Sequence, residues 1–107
     1  MRFTFVTLFP GIVEGYFNES ILGRAKEAGC FTLDFVSPRE YTTNKHLKVD
    51  EAQVGGGAGL LMNPQPLFDA LRAIQKTSPE AYFLFPAPAG KSFIQNDAKR
   101  LANKVHI

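Results

Sequence analysis

Arg2-Phe3-Thr4-Phe5-Val6-Thr7-Leu8-Phe9 is a run of aromatic and β-branched residues closed by Pro10-Gly11, and it predicts a buried strand. Working outward, Ile12 to Phe17 has helical character, and a second helical stretch runs from Ile21 to Ala28. Asn18 or Ser20 stands where a cap is needed, and Gly29 where a helix should close. Phe31 to Val36 predicts a second short strand. Ser37-Pro38-Arg39 breaks it, because proline confines the preceding residue to extended geometry. From there to Met62 no periodicity stands out, which leaves a loop of roughly 25 residues, longer than compact domains tolerate without a functional reason.

Periodicity resumes from Pro66 to Thr77, where Leu67, Ala70, Leu71 and Ile74 share one helical face. Ser78-Pro79 ends that helix, and Tyr82 to Phe85 predicts a third, continuously apolar strand. Pro86-Ala87-Pro88-Ala89-Gly90 is a second irregular loop. A last helix spans Gln95 to Lys104, with Asn96 or Asp97 near its positive end, and Val105-His106-Ile107 starts like a further strand. Alternating strands and helices predict an α/β fold with a mostly parallel sheet and flanking helices. A chain that stops on the first residues of a core strand leaves that strand's partners missing, so a piece of a longer protein is expected.

With 45% apolar and 21% charged residues among 107, composition is that of a globular domain. No apolar run approaches the roughly 20 residues that span a bilayer, so no membrane is expected. The start lacks the apolar core and small-residue cleavage site of a secretory signal. A single cysteine, Cys30, cannot close an internal disulfide, which fits a cytoplasmic location. It follows a helix-ending glycine and precedes a strand, so a buried structural thiol is expected. A net charge of +2 is too small to announce a nucleic-acid protein.

Three stretches carry candidate chemistry. Gly55, Gly56, Gly57, Ala58 and Gly59 run straight into Leu60-Leu61-Met62, without the serines and charges of a solvated linker. An ordered loop lining a pocket, tied to a core by those apolar residues, is the expectation. Phe85 to Gly90 follows a predicted strand, where open parallel sheets bind ligands; a stiff structural turn is the competing reading. Arg39, Lys45, His46 and Lys48 suit RNA phosphate contacts, or else form a solvated charged loop. Nucleotide motifs fail. Gly90-Lys91-Ser92 has Phe85 where a P-loop needs its first glycine, and a dinucleotide fingerprint begun at Gly57 or Gly55 meets Met62 or Leu60 at its last. His46 and His106 have no second ligand at metal spacing, so no metal is assigned, and no nucleophilic triad or carboxylate pair stands out.

Taken together, these pieces resemble the bacterial tRNA (guanine-N1)-methyltransferase family, which modifies guanine 37 beside the anticodon. The likeness rests on Phe5-Val6-Thr7-Leu8-Phe9-Pro10, Gly23-Arg24-Ala25, Ser37-Pro38-Arg39-Glu40, Val49-Asp50, Gly55 to Met62, and Phe85 to Lys91, in that order. In the last segment Ala87 stands where the family carries serine. The resemblance implies a trefoil-knotted (SPOUT) methyltransferase domain, a homodimer, tRNA as partner and S-adenosylmethionine as methyl donor. Residues 1–107 would be the N-terminal part of the catalytic domain, without the knot, the C-terminal domain or any catalytic residue. It further implies cofactor contacts from Phe85, Pro86, Ala87, Pro88 and Gly90, and substrate contacts from Gly55 to Gly59 and the basic loop. Asp50 is expected to hold its loop or a basic neighbour instead of acting as the base. A small non-catalytic RNA-binding module is the alternative.

Overall fold

The computed structural model describes residues 1–107. Strand β1 (Arg2–Val6) leads through helices α1 (Pro10–Phe17) and α2 (Ser20–Glu27) to strand β2 (Thr32–Val36). The two strands pair in parallel, in register from Arg2↔Thr32 to Val6↔Val36, so the helix pair is the crossover that parallel strands require. Because side chains alternate along a strand, Phe3 and Phe5 share a face. Phe5 packs against Phe35 and Phe17, and Phe3 against Phe31, with ring centroids 5.5 to 6.0 Å apart. The opposite face carries Arg2, which is ion-paired to Asp34, and Thr4, hydrogen-bonded to the His106 ring at 2.7 Å.

Helix α2 starts after Glu19, with no side-chain cap from Asn18 or Ser20. Asn18 instead serves the close approach of the two helices: a Cβ built on Gly23 would stand 2.5 Å from its carbonyl oxygen. Only glycine fits there. The expected closure at Gly29 is present, with φ at +71°. Cys30 corrects the sequence reading, for it is exposed. It sits at the turn before β2, outside the aromatic layer.

The long central loop also departs from expectation. Ser37 caps a 3-10 turn (Pro38–Tyr41), and β3 (Asp50–Ala52) pairs antiparallel with β4 (Leu60–Met62). Strands of three residues are too short to display a period of two, which is why no pattern announced them. Helix α3 begins at Pro64, earlier than expected, because the Asn63 side chain accepts from the Gln65 amide and Pro64 sits where no donor is needed. Helix α4 (Gln95–Leu101) ends sooner than Lys104.

Tyr82 to Phe85 is not a strand. Tyr82 donates its amide to the His106 carbonyl at 2.9 Å, but Phe83 to Phe85 have no ladder partner. The final residues do extend the sheet: Arg2 and His106 form a parallel bridge, and Thr4 donates to the Ile107 carbonyl at 2.8 Å. The β1–β2 sheet therefore grows outward past β1 to His106, and then to Tyr82.

The core is thin. Val49, Ala70, Ile74 and Leu101, with the prolines Pro38 and Pro66, are its buried apolar side chains, and the radius of gyration is 15.9 Å against about 13 Å for a compact chain of this length. No helix is long and apolar enough to cross a membrane.

Candidate functional site

The glycine-rich segment forms the tip of the β3–β4 hairpin. Gly55, Gly56, Gly57 and Gly59 all take positive φ, reaching +125° at Gly57, where a residue with a Cβ is strained. Two bonds hold the tip: the Gly56 amide donates to the Gln53 carbonyl at 3.1 Å, and the Gln53 side-chain amide donates to the Ala58 carbonyl at 2.9 Å. The loop is thus ordered by its own contacts. Sequence reasoning passed over Gln53, although a lone amide side chain before a glycine run is the signal that could have marked it.

The expected apolar anchor is corrected. Leu60, Leu61 and Met62 are 63%, 55% and 46% exposed, so they do not tie the loop to a core. Three residues in a two-stranded hairpin have only each other to pack against. The anchor is Val49, fully buried, whose carbonyl accepts from the Asn63 amide at 2.7 Å. Asp50 pairs through its backbone with Met62, and its carboxylate makes no hydrogen bond or ion pair with the chain. Of the two expected roles, its side chain holds no basic neighbour, and what it gives the loop is the main-chain pairing with Met62. The carboxylate that does brace the hairpin base is Glu51, which accepts from the Asn63 side chain at 3.1 Å.

The basic residues fall on a compact turn leading into the hairpin. Thr42 donates to the Lys48 carbonyl, Asn44 caps the His46 amide, and Arg39 spends one guanidinium nitrogen on the Leu47 carbonyl. Lys45, His46 and Lys48 remain exposed, and neither lysine has an ion-pair partner. That leaves their charge available to an outside anion.

The Phe85 to Gly90 loop lies elsewhere. Phe85 and Pro86 border a cavity of about 660 Å³ that also takes in β1, the α3 face around Leu71, Phe93, Leu101 and His106. Seventeen of its 20 lining residues are hydrophobic, so it could take a flat ring but gives a charged group almost nothing to bond. None of Arg39, Lys45, His46, Lys48 or the hairpin glycines lines this cavity or the polar one beside it, between Arg2 and Ser78. The two loops meet in neither of these cavities.

Polar contacts to a ligand would have to come from the loop's backbone. Between Phe83 and Phe93 a single main-chain bond is made, from the Gly90 amide to the Ala87 carbonyl at 2.9 Å. The amides of Phe85, Ala87 and Ala89 and the neighbouring carbonyls are therefore open, and Pro86 and Pro88 hold them in a stiff frame. Beyond the loop, Lys91 pairs with Asp97 at 3.0 Å, and Arg100 bonds both Asp97 and the Tyr82 hydroxyl. The hydrogen bond from Lys91 holds the Asp97 carboxyl below its ordinary range, helped by the Ile94 amide. Bonding to Arg100 likewise lowers the Tyr82 hydroxyl. No group of three or more potential metal ligands is present.

Comparison with known proteins decides what these loops belong to. A family model described as tRNA (Guanine-1)-methyltransferase TrmD matches residues 1–107. The chain belongs to this methyltransferase family. A tRNA (guanine-N(1)-)-methyltransferase of Sulfurovum sp. is 58% identical over the whole chain, and one of Sulfurimonas denitrificans is 55% identical. The chain covers 47% and 46% of those relatives, so it spans about half the length of the methyltransferases it matches. The crystal structure of a tRNA (m1G37) methyltransferase from Aquifex aeolicus superposes with a TM-score of 0.85 at 25% identity, over all of this chain and 48% of that one. The family's SPOUT fold accounts for the parallel β1–β2 pair and its crossover.

Proposed function

We propose that residues 1–107 are the N-terminal part of the catalytic domain of an enzyme that transfers a methyl group from S-adenosylmethionine to N1 of guanine 37 in tRNA. The observation that carries this reading is the family match, unbroken from Met1 to Ile107. Phe85, Pro86, Ala87, Pro88 and Gly90 would hold the cofactor: open main-chain donors and acceptors meet its polar edges, and the adjoining apolar cavity takes its ring. When bound, S-adenosylmethionine supplies an electrophilic methyl group.

The chain's own residues bind and orient. Lys45, His46, Lys48 and Arg39 would contact tRNA phosphates, a sequence-independent attraction that sets register without reading bases. The Gly55 to Gly59 tip offers bare backbone to an unstacked guanine, which must leave its neighbours for its edge to be reached. N1 of guanine bears a proton that a general base must remove as the nitrogen attacks, while cationic groups steady charge on O6. No side chain among the 107 residues is assigned either task. A homodimer acting in the cytoplasm, where tRNA is found, completes the reading.

The test uses a full-length enzyme carrying these residues, labelled methyl donor, and tRNA transcripts with guanine or adenine at position 37. Transfer to the guanine transcript alone is expected, and none from the 107 residues by themselves. Equal labelling of both transcripts would sink the assignment. Tight, salt-sensitive tRNA binding without transfer by any form would point to a non-catalytic RNA-binding module.

A further inference from the structure

The Phe83 to Phe93 segment is held less by itself than by its two ends. It lacks regular structure, makes one internal main-chain bond, and carries side chains that are largely exposed from Leu84 onward. Yet both ends converge on one place. At the far end, the Lys91 ammonium donates to Asp97 Oδ1 at 3.0 Å. At the near end, the Tyr82 hydroxyl accepts from Arg100 at 3.1 Å, and Arg100 and Lys104 lie 5.6 and 5.0 Å from the centre of the Tyr82 ring. Arg100 also donates to Asp97 Oδ1 at 3.4 Å. Asp97 is thereby a hub that joins the two ends through the first turns of α4.

Asp97 is 6% exposed, which a carboxylate tolerates only when its charge and lone pairs are met. Oδ2 accepts from the Ile94 amide at 3.3 Å, an ordinary service to the start of a helix. Oδ1 is different. It faces away from that amide task and takes Lys91 and Arg100, neither of which the helix needs. Lys91 is 79% exposed, so a wholly solvated ammonium was available to it. Its reach into Asp97 fixes the residue immediately after Gly90, while the stiff Pro86 and Pro88 carry that constraint back along the loop.

We infer that Asp97, acting through Lys91 and through Arg100 with Tyr82, is a positioning residue that clamps both ends of the Phe85 to Gly90 loop in the shape that presents its backbone to the methyl donor. The inference rests on the reading of that loop as the cofactor's seat. Asp97 itself touches no substrate. Loosening the clamp lets the open amides and carbonyls lose their shared geometry, and binding suffers before the chemical step does.

Three variants in a full-length enzyme carrying these residues test it. Lys91→Gln removes the far-end ion pair and Tyr82→Phe the near-end hydroxyl bond, and both leave the bond from the Ile94 amide to Asp97 untouched; Asp97→Asn weakens both ends. Exchange of the Gly90 amide, the one loop amide that is hydrogen-bonded, is expected to quicken about tenfold in Lys91→Gln, with α3 unchanged. The KM for S-adenosylmethionine should rise about tenfold in the same variant, with kcat within about twofold and KM for tRNA unmoved. Lys91→Arg should restore most of it. A purely structural role at the start of α4 predicts no change in Lys91→Gln, and unaltered loop exchange in both Lys91→Gln and Tyr82→Phe overturns the clamp. Quickened exchange with an unchanged cofactor KM overturns its positioning role. If the parent enzyme transfers no methyl group, the functional reading fails instead, and loop exchange still decides the clamp. Should Asp97→Asn unfold, the two end variants decide alone.

Discussion

Replacing Gly57 by alanine should loosen the hairpin tip, and the structure allows the size of the effect to be worked out. At φ +125° the backbone lies outside even the left-handed well, so a side chain there costs about 1–3 kcal/mol. Alanine also restricts the unfolded chain, which returns about 0.4–1 kcal/mol. The new Cβ would stand 3.3 Å from Gln53 Oε1, so Gln53 must shift and its bond to the Ala58 carbonyl is put at risk, worth a further 0.5–1.5 kcal/mol or so. The sum is about 2 kcal/mol against the closed tip, or roughly a 30-fold shift in local opening. Native-state exchange of the Gly56 amide, which bonds Gln53 directly, reads that shift. Gly11→Ala is the control. Gly11 lies in the first turn of α1 at a φ that is not positive, and an added Cβ meets nothing within 4 Å, so this change should be neutral or stabilising by up to about 1 kcal/mol. Equal exchange at Gly56 in Gly57→Ala and in the parent would refute the view that the glycines are required for the tip's shape.

Gly23→Ala should destabilise the α1–α2 pair by about 2 kcal/mol or more, because the obstacle 2.5 Å away is backbone and cannot rotate aside; a denaturant midpoint equal to the parent's would contradict this. Exchanging Lys45 and Lys48 for alanine should weaken tRNA binding for all sequences alike and lower the salt slope by about 2, checked by filter binding across salt concentrations. Asp97 is held below the ordinary 3.8, so its favourable contribution is complete above that value and fades as pH falls through the lower folded value. The melting-temperature gap between parent and Asp97→Asn should therefore narrow on acidification below about pH 4, and a constant gap would count against the pairing.

The sequence by itself determined the elements whose order is written in short-range chemistry. Phe3, Phe5 and the flanking Pro10-Gly11 announced β1, and the spacing of Leu67, Ala70, Leu71 and Ile74 announced α3, since each pattern needs only its own neighbours to be read. The ordered motifs from Leu8-Phe9-Pro10 to Gly90-Lys91 were enough to point to the methyltransferase family. Tertiary structure alone decided the rest. Whether Leu60 to Met62 are buried depends on what lies across from them, and nothing does. Whether Tyr82 to Phe85 form a strand depends on a partner for each amide, and only Tyr82 finds one. Lys91 and Asp97 looked like the tail of a failed phosphate motif and an acid near a helix start. Their union, with Arg100 carrying it back to Tyr82, is a fact of three-dimensional packing that no local pattern encodes.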